Sequence, residues 1–113
     1  MTDLTKIKWA HAVNTEFQLN EALNDDNIDI IEADIILGRI NNSGSLQPVM
    51  GHPPMQSSDI TLNDFLLKIF EFNRNSVISK GVKLDFKSIE VFESSVNILD
   101  QLWEKVSSIQ NVT

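Results

Sequence analysis

Apolar residues along this 113-residue chain fall into short runs of two kinds. Some alternate with polar residues, and others recur every three or four positions. The first pattern suits a strand, whose successive side chains point to opposite faces; the second suits one side of a helix. The alternation is plainest in KGVKLDFKS, residues 80–88, where Val82, Leu84 and Phe86 interleave with Lys83, Asp85 and Lys87. A strand here has one apolar face and one face carrying cation, anion, cation. Three adjacent charges on one face are costly to bury unless they pair or bind something. That face is therefore a candidate site.

Residues 8–13 predict a short strand, and 15–24 a helix with Leu19, Ala22 and Leu23 turned inward. Residues 28–37 (IDIIEADIIL) are apolar on both faces except at their acids, which suits a strand covered on both sides. Residues 38–47 (GRINNSGSLQ) read as a polar loop. Residues 48–52 read as a short strand, stopped by Pro53 and Pro54 because proline has no N–H for a ladder. Thr61-Leu-Asn-Asp64 is a capping-box variant that opens a helix to about residue 72, with Leu62, Phe65, Leu66, Ile69 and Phe70 on one stripe. Residues 81–87 are the fourth strand. Ser88 caps a last helix to about residue 109, whose predicted core stripe is Ile89, Phe92, Val96, Leu99, Leu102 or Trp103, and Val106. The order β-α-β-β-α-β-α implies an α/β fold with parallel strands and right-handed crossovers.

Charge and composition narrow the partners. Nine basic against sixteen acidic residues give a net charge of −7, which disfavours nucleic acid and anionic membrane as main partners. With no cysteine, thiol catalysis, disulfides and cysteine-based zinc sites are excluded. No apolar run approaches the ~20 residues of a membrane helix, and the first residues lack a secretory h-region. The expectation is a cytoplasmic protein without a membrane span. Asn41-Asn-Ser43 and Asn111-Val-Thr113 fit the glycosylation acceptor pattern, which matters only in an exported chain.

The groups capable of chemistry fall at corresponding places. His11 lies near the end of the first predicted strand, Glu32 and Asp34 share a face of the second, and His52 ends the third. Asp85 and Lys87 lie towards the end of the fourth. In a parallel sheet the carboxyl ends meet at one edge, where functional groups gather. Glu32 and Asp34, with Asp85 as a third carboxylate, suit a hard divalent cation, Mg²⁺ or Ca²⁺, which takes oxygen ligands. The alternative is a pair of acids at a solvated strand end. His11 and His52, the only histidines, suit a general base and general acid near neutral pH, or are structural. Lys87 either holds an anionic oxygen or pairs with an acid, and Lys83, deeper on the face, suits a structural ion pair. Asn14 either orients a ligand or caps the helix beginning near Thr15. GxGxxG, P-loop, GxSxG and HExxH motifs are all missing.

Four segments together resemble the menorin family: Trp9-Ala-His-Ala-Val-Asn14, Glu32-Ala-Asp34, Pro48-Val-Met-Gly-His-Pro-Pro54 and the 80–88 strand. Ser58-Asp-Ile-Thr-Leu62 adds to the match, which covers roughly residues 8–105. That family looks like a distant relative of the glycerophosphodiester phosphodiesterases, PLC-like TIM barrels. The resemblance implies that residues 1–113 form a single partial domain, the N-terminal half of a (βα)₈ TIM-barrel-like fold, with about four parallel strands and three helices. It implies a metal-dependent phosphoric diester hydrolase acting on a small phosphodiester. His11 and His52 would be the acid/base pair, Glu32, Asp34 and Asp85 the ligands of Mg²⁺ or Ca²⁺, and Lys87 the phosphate contact. Ala12-Val13 stands where those enzymes carry Arg-Gly, and Asp85 where they carry Glu. The alternative is a non-catalytic recognition module, in keeping with the family's association with neuronal patterning and sensory-cell maintenance, or an inactive short isoform. Half a barrel also leaves sheet edges open to self-association.

Overall fold

One long strand organises the molecule. In the computed structural model, which describes residues 6–110, β2 (Ile30–Ile40) is hydrogen-bonded to every other strand. β1 (Trp9–Ala10) and β5 (Gly81–Phe86) pair with its first half, both parallel to it. β3 (Ser43–Met50) and β4 (Ser57–Ser58) pair with its second half, β3 antiparallel and β4 parallel. Three helices complete the fold: α1 (Glu16–Asn24), α2 (Leu62–Arg74) and α3 (Ile89–Gln110).

This is a mixed five-stranded sheet, and it corrects the expectation of four parallel strands forming half of a TIM barrel. The reason lies in residues 38–47, which form strand rather than loop. Asn41 and Asn42 both adopt positive φ, 50° and 64°, and Ile40 faces Ser43 across the ladder. Two consecutive left-handed residues make a tight hairpin turn whose twist matches the strands, and asparagine tolerates that conformation. A two-residue link can join only antiparallel strands, whereas a parallel pair needs a crossover of a dozen or more residues. The distal hairpin stands clear of the helices, so residues 41–46 are exposed and read as loop by polarity. The first predicted strand, 8–13, shrinks to two residues.

The helices all pack on one side. Ile31, Ala33 and Ile35 of β2 are fully buried with Leu19 of α1, Phe65 and Ile69 of α2 and Val91 of α3. Each helix starts at a hydroxyl that accepts from an otherwise orphaned N–H: Thr15 from Gln18, Thr61 from Asp64 and Ser88 from Val91. β5 pairs in register with β2, Glu32 beside Lys83 and Asp34 beside Asp85. Val82, Leu84 and Phe86 thus lie on the helical side and Lys83 and Asp85 on the other.

The phase of α3 differs from the expected stripe. Val91, Ser95 and Leu102 are buried, with Ile98 and Leu99 half-buried against the core. Ile89, Phe92, Val96 and Trp103 are exposed, Ile89 by 73% and Trp103 by 57%. Ser95 conceals the true core row, because its hydroxyl donates 2.6 Å back to the Val91 carbonyl and needs no outside partner. Val106 and the Asn111–Val112–Thr113 triplet lie outside the residues whose side chains are described. Among the described residues no helix is long and apolar enough to cross a membrane.

Candidate metal centre

The sheet face opposite the helices collects the acids. Glu32 and Asp34 project from β2 on that face, and the in-register pairing sets Asp85 beside Asp34. One oxygen from each of the three carboxylates lies within 4.8 Å of the other two. Asp34 is buried, Glu32 half-buried and Asp85 exposed, so the cluster opens to solvent on the β5 side. Like charges this close repel unless a cation sits among them.

Lys87 supplies one such cation. Its Nζ is 2.7 Å from Asp85 Oδ2 and 3.3 Å from Asp34 Oδ1. The Lys87 hydrogen bond, against a smaller opposing effect of burial, holds the Asp85 carboxyl below its ordinary value. Reciprocally, the bond to Asp85 raises the Lys87 ammonium, with Asp34 adding to it. Lys83 has the weaker role of a nearby positive charge that also favours ionised Asp85. Among the described residues it makes no ion pair, contrary to the expected structural bridge.

Asn14 holds Asp34 from the other side. Its Nδ2 donates 3.0 Å to Asp34 Oδ2, and its Oδ1 accepts 2.9 Å from the Asp34 N–H. The helix cap weighed for Asn14 belongs to Thr15 instead. Asn14 is thus a positioning residue for one carboxylate. Glu32 is fixed by the chain just before Asn14: its Oε1 accepts 2.8 Å from the Ala12 N–H. Ala12 sits at φ 54°, a left-handed conformation that costs a non-glycine residue about 1 kcal/mol or more. Sequence alone could not assign that backbone contact, because nothing in Ala12's side chain signals it.

The histidines flank the cluster. His11 Nδ1 is 4.0 Å from Glu32 Oε1, and the ring stacks on Trp9 with centroids 5.9 Å apart. His52 follows β3, and its Nδ1 meets the Pro53 carbonyl at 2.7 Å. It lies near enough that its positive charge, when protonated, also lowers Asp85. Both imidazoles are exposed. The candidate residues thus share one region: His11 beside Glu32, Asn14 and Lys87 on Asp34, Asp85 on Lys87, and His52 near enough for its charge to bear on Asp85. They are drawn there by both a parallel and an antiparallel partner of β2.

The donor set suits a hard cation. All three ligand atoms would be carboxylate oxygens, the donor type that hard divalent cations take.

Comparison with known proteins agrees with the motifs. The profile of the Menorin N-terminal domain family matches residues 3–112. Protein FAM151B of Homo sapiens is 41% identical over 100 residues, covering 88% of this chain and 33% of its own length. The chain therefore spans about a third of that relative. No solved structure matches. With nearly the whole chain matched by one family profile, the chain belongs to the menorin family.

Proposed function

We propose that this domain binds a divalent cation, Ca²⁺ or Mg²⁺, through Glu32, Asp34 and Asp85 and uses it on a small phosphodiester. The supporting observation is the convergence of three carboxylates from two strands, together with two histidines and a lysine, on one sheet face. A bound cation would stabilise negative charge developing on the phosphoryl oxygens. Asn14 and the Ala12 N–H keep Asp34 and Glu32 aimed. Lys87, displaced from the carboxylates, is free to hold a phosphate oxygen. His11 and His52, on either side, are the groups able to move a proton near neutral pH.

Calorimetric titration with Ca²⁺, Mg²⁺ and Mn²⁺ tests the binding half. Micromolar-to-millimolar binding by the native chain that disappears in Glu32→Ala is expected, and failure to bind sinks the reading. Release of alcohol from glycerophosphodiesters tests the chemical half, and turnover that survives His11→Ala removes that histidine from the reaction.

A second reading is a recognition module that binds the cation without turnover. The exposure of His11, 74% at its side chain, favours it, because catalytic proton transfer works best where water is excluded. Cation binding with no hydrolysis of any phosphodiester tested is its signature.

A further inference from the structure

β5 presents an open edge. Lys87 N–H donates to the Ile35 carbonyl and Gly81 N–H to the Asp29 carbonyl, so the odd-numbered residues of this strand turn their backbone towards β2. The backbone groups of Val82, Leu84 and Phe86 therefore point outward, and among the described residues no strand pairs with them. Exposed strand edges invite pairing.

Apolar side chains line the same side. Phe92 of α3 packs edge-on against Phe86, ring centroids 5.2 Å apart. Trp103 and Leu99 of α3 share an apolar groove of about 300 Å³ with Val82 and Leu84. The exposed row of α3, Ile89, Phe92, Val96 and Trp103, thus runs beside the open edge. An open edge flanked by exposed apolar residues describes an interface surface.

The strand is complementary to itself, and this identifies the occupant. We propose that two copies of this chain associate through antiparallel β5–β5 pairing about a two-fold axis at Leu84. That register makes Leu84 face Leu84 of the partner and Val82 face Phe86. These are the residues with outward backbone groups, so they form the hydrogen-bonded pairs such a ladder requires. On the opposite face each Lys83 meets the other copy's Asp85, at the closer, non-hydrogen-bonded positions. Lys83, without an ion pair among the described residues, gains one, and symmetry doubles it. A register centred on Phe86 would set Asp85 opposite the other copy's Lys87, but Lys87 is already held by Asp85 and Asp34 of its own chain and Leu84 would then face Ser88. The proposal does not depend on cation binding.

Sedimentation equilibrium in EDTA, from micromolar to several hundred micromolar chain, is the test. A dimer is expected. Lys83→Asp and Asp85→Lys each set like charges opposite one another twice, and each should weaken the dimer about tenfold or more. The double variant Lys83→Asp/Asp85→Lys exchanges the charges and should restore it. Both positions are exposed, and circular dichroism identifies any variant that has unfolded. If the double variant does not fold, Val82→Lys, which charges the apolar face of the same pairing, must also give a monomer. A native monomer at every concentration overturns the proposal. So does a dimer that both single variants leave unchanged, or one that the folded double variant fails to regain.

Discussion

Asn14 clasps Asp34 at two points, donating to the Asp34 carboxylate and accepting from the Asp34 N–H. Asp34 is buried, so its N–H and Oδ2 have exchanged water for this side chain, while Lys87 meets Oδ1. Replacing Asn14 by alanine orphans a buried N–H and removes one neutral donor from a buried carboxylate. A loss of about 2–3 kcal/mol is expected in urea denaturation. Asn14→Asp should cost more, because it sets a second carboxylate against the first.

The Lys87–Asp85 pair predicts stability changes at both ends of the pH scale. Asp85 is depressed in the fold, so its contribution is complete above its ordinary 3.8 and disappears as pH falls through the lower folded value. Lys87 is raised, so its contribution is complete below its ordinary 10.5 and disappears as pH rises through the higher folded value. The stability difference between the native chain and Lys87→Met should be constant from about pH 5 to 9 and shrink outside those ends. Denaturation series across pH measure it.

Lys87 also competes with any divalent ion for Asp34 and Asp85. Under the proposed function, Lys87→Met should bind Ca²⁺ about tenfold more tightly while losing phosphodiester turnover. Calorimetry and an activity assay on the same preparation separate these opposite effects. Equal weakening of both would mean that Lys87 helps to build the carboxylate cluster.

Lys80 is a different kind of buried cation. Its Nζ donates 2.7 Å to each of the Asp25 and Ile28 carbonyls, just beyond the end of α1, and lies 5.7 Å from the Phe72 ring centre. The Lys80 backbone is gripped in turn by the Asn73 side chain. Lys80→Met removes the charged donor from both carbonyls, of which only that of Asp25 keeps a second donor, the Ile28 N–H, and should cost about 2–4 kcal/mol of stability with little effect on cation affinity. Thermal unfolding and calcium titration of the one variant check both halves.

At Gly38 the chain after β3 passes tightly against β2. A Cβ there would stand 2.8 Å from the Gln56 carbonyl oxygen and 2.9 Å from Val49 Cγ2. The carbonyl belongs to backbone that is bonded to Arg39 and cannot easily give way. Gly38→Ala should destabilise by about 1–3 kcal/mol, measurable by denaturant titration.

What sequence made legible follows from local physics. The alternation in β5 was readable because one side meets helices and the other solvent. The caps Thr61 and Ser88 were readable because a hydroxyl just ahead of an amphipathic run has one obvious use. The hairpin was not, since a strand solvated on both faces has no apolar alternation to display. β4 is two residues long and carries no period at all. In α3, true burial followed Val91 and Ser95, while conspicuous apolar residues such as Phe92 and Trp103 marked a surface. The candidate site residues were named from motif and spacing, but Asn14's attachment to Asp34 required knowing which strand lies beside its loop.

The Asn41–Asn42 turn bears on the order in which the molecule assembles. Its contacts are local, and a hairpin closes within about 1–10 μs, so β2 and β3 can form before distant segments arrive. Glu32 and Asp34 extend from the free half of that early strand, whereas Asp85 reaches them only after α2 and a further loop have been laid down. The three-carboxylate cluster is therefore completed late in folding. A cation that requires all three acids would stabilise the finished fold and leave the early hairpin unaffected. Calcium-dependent slowing of unfolding, without acceleration of folding, would be the kinetic trace of that order.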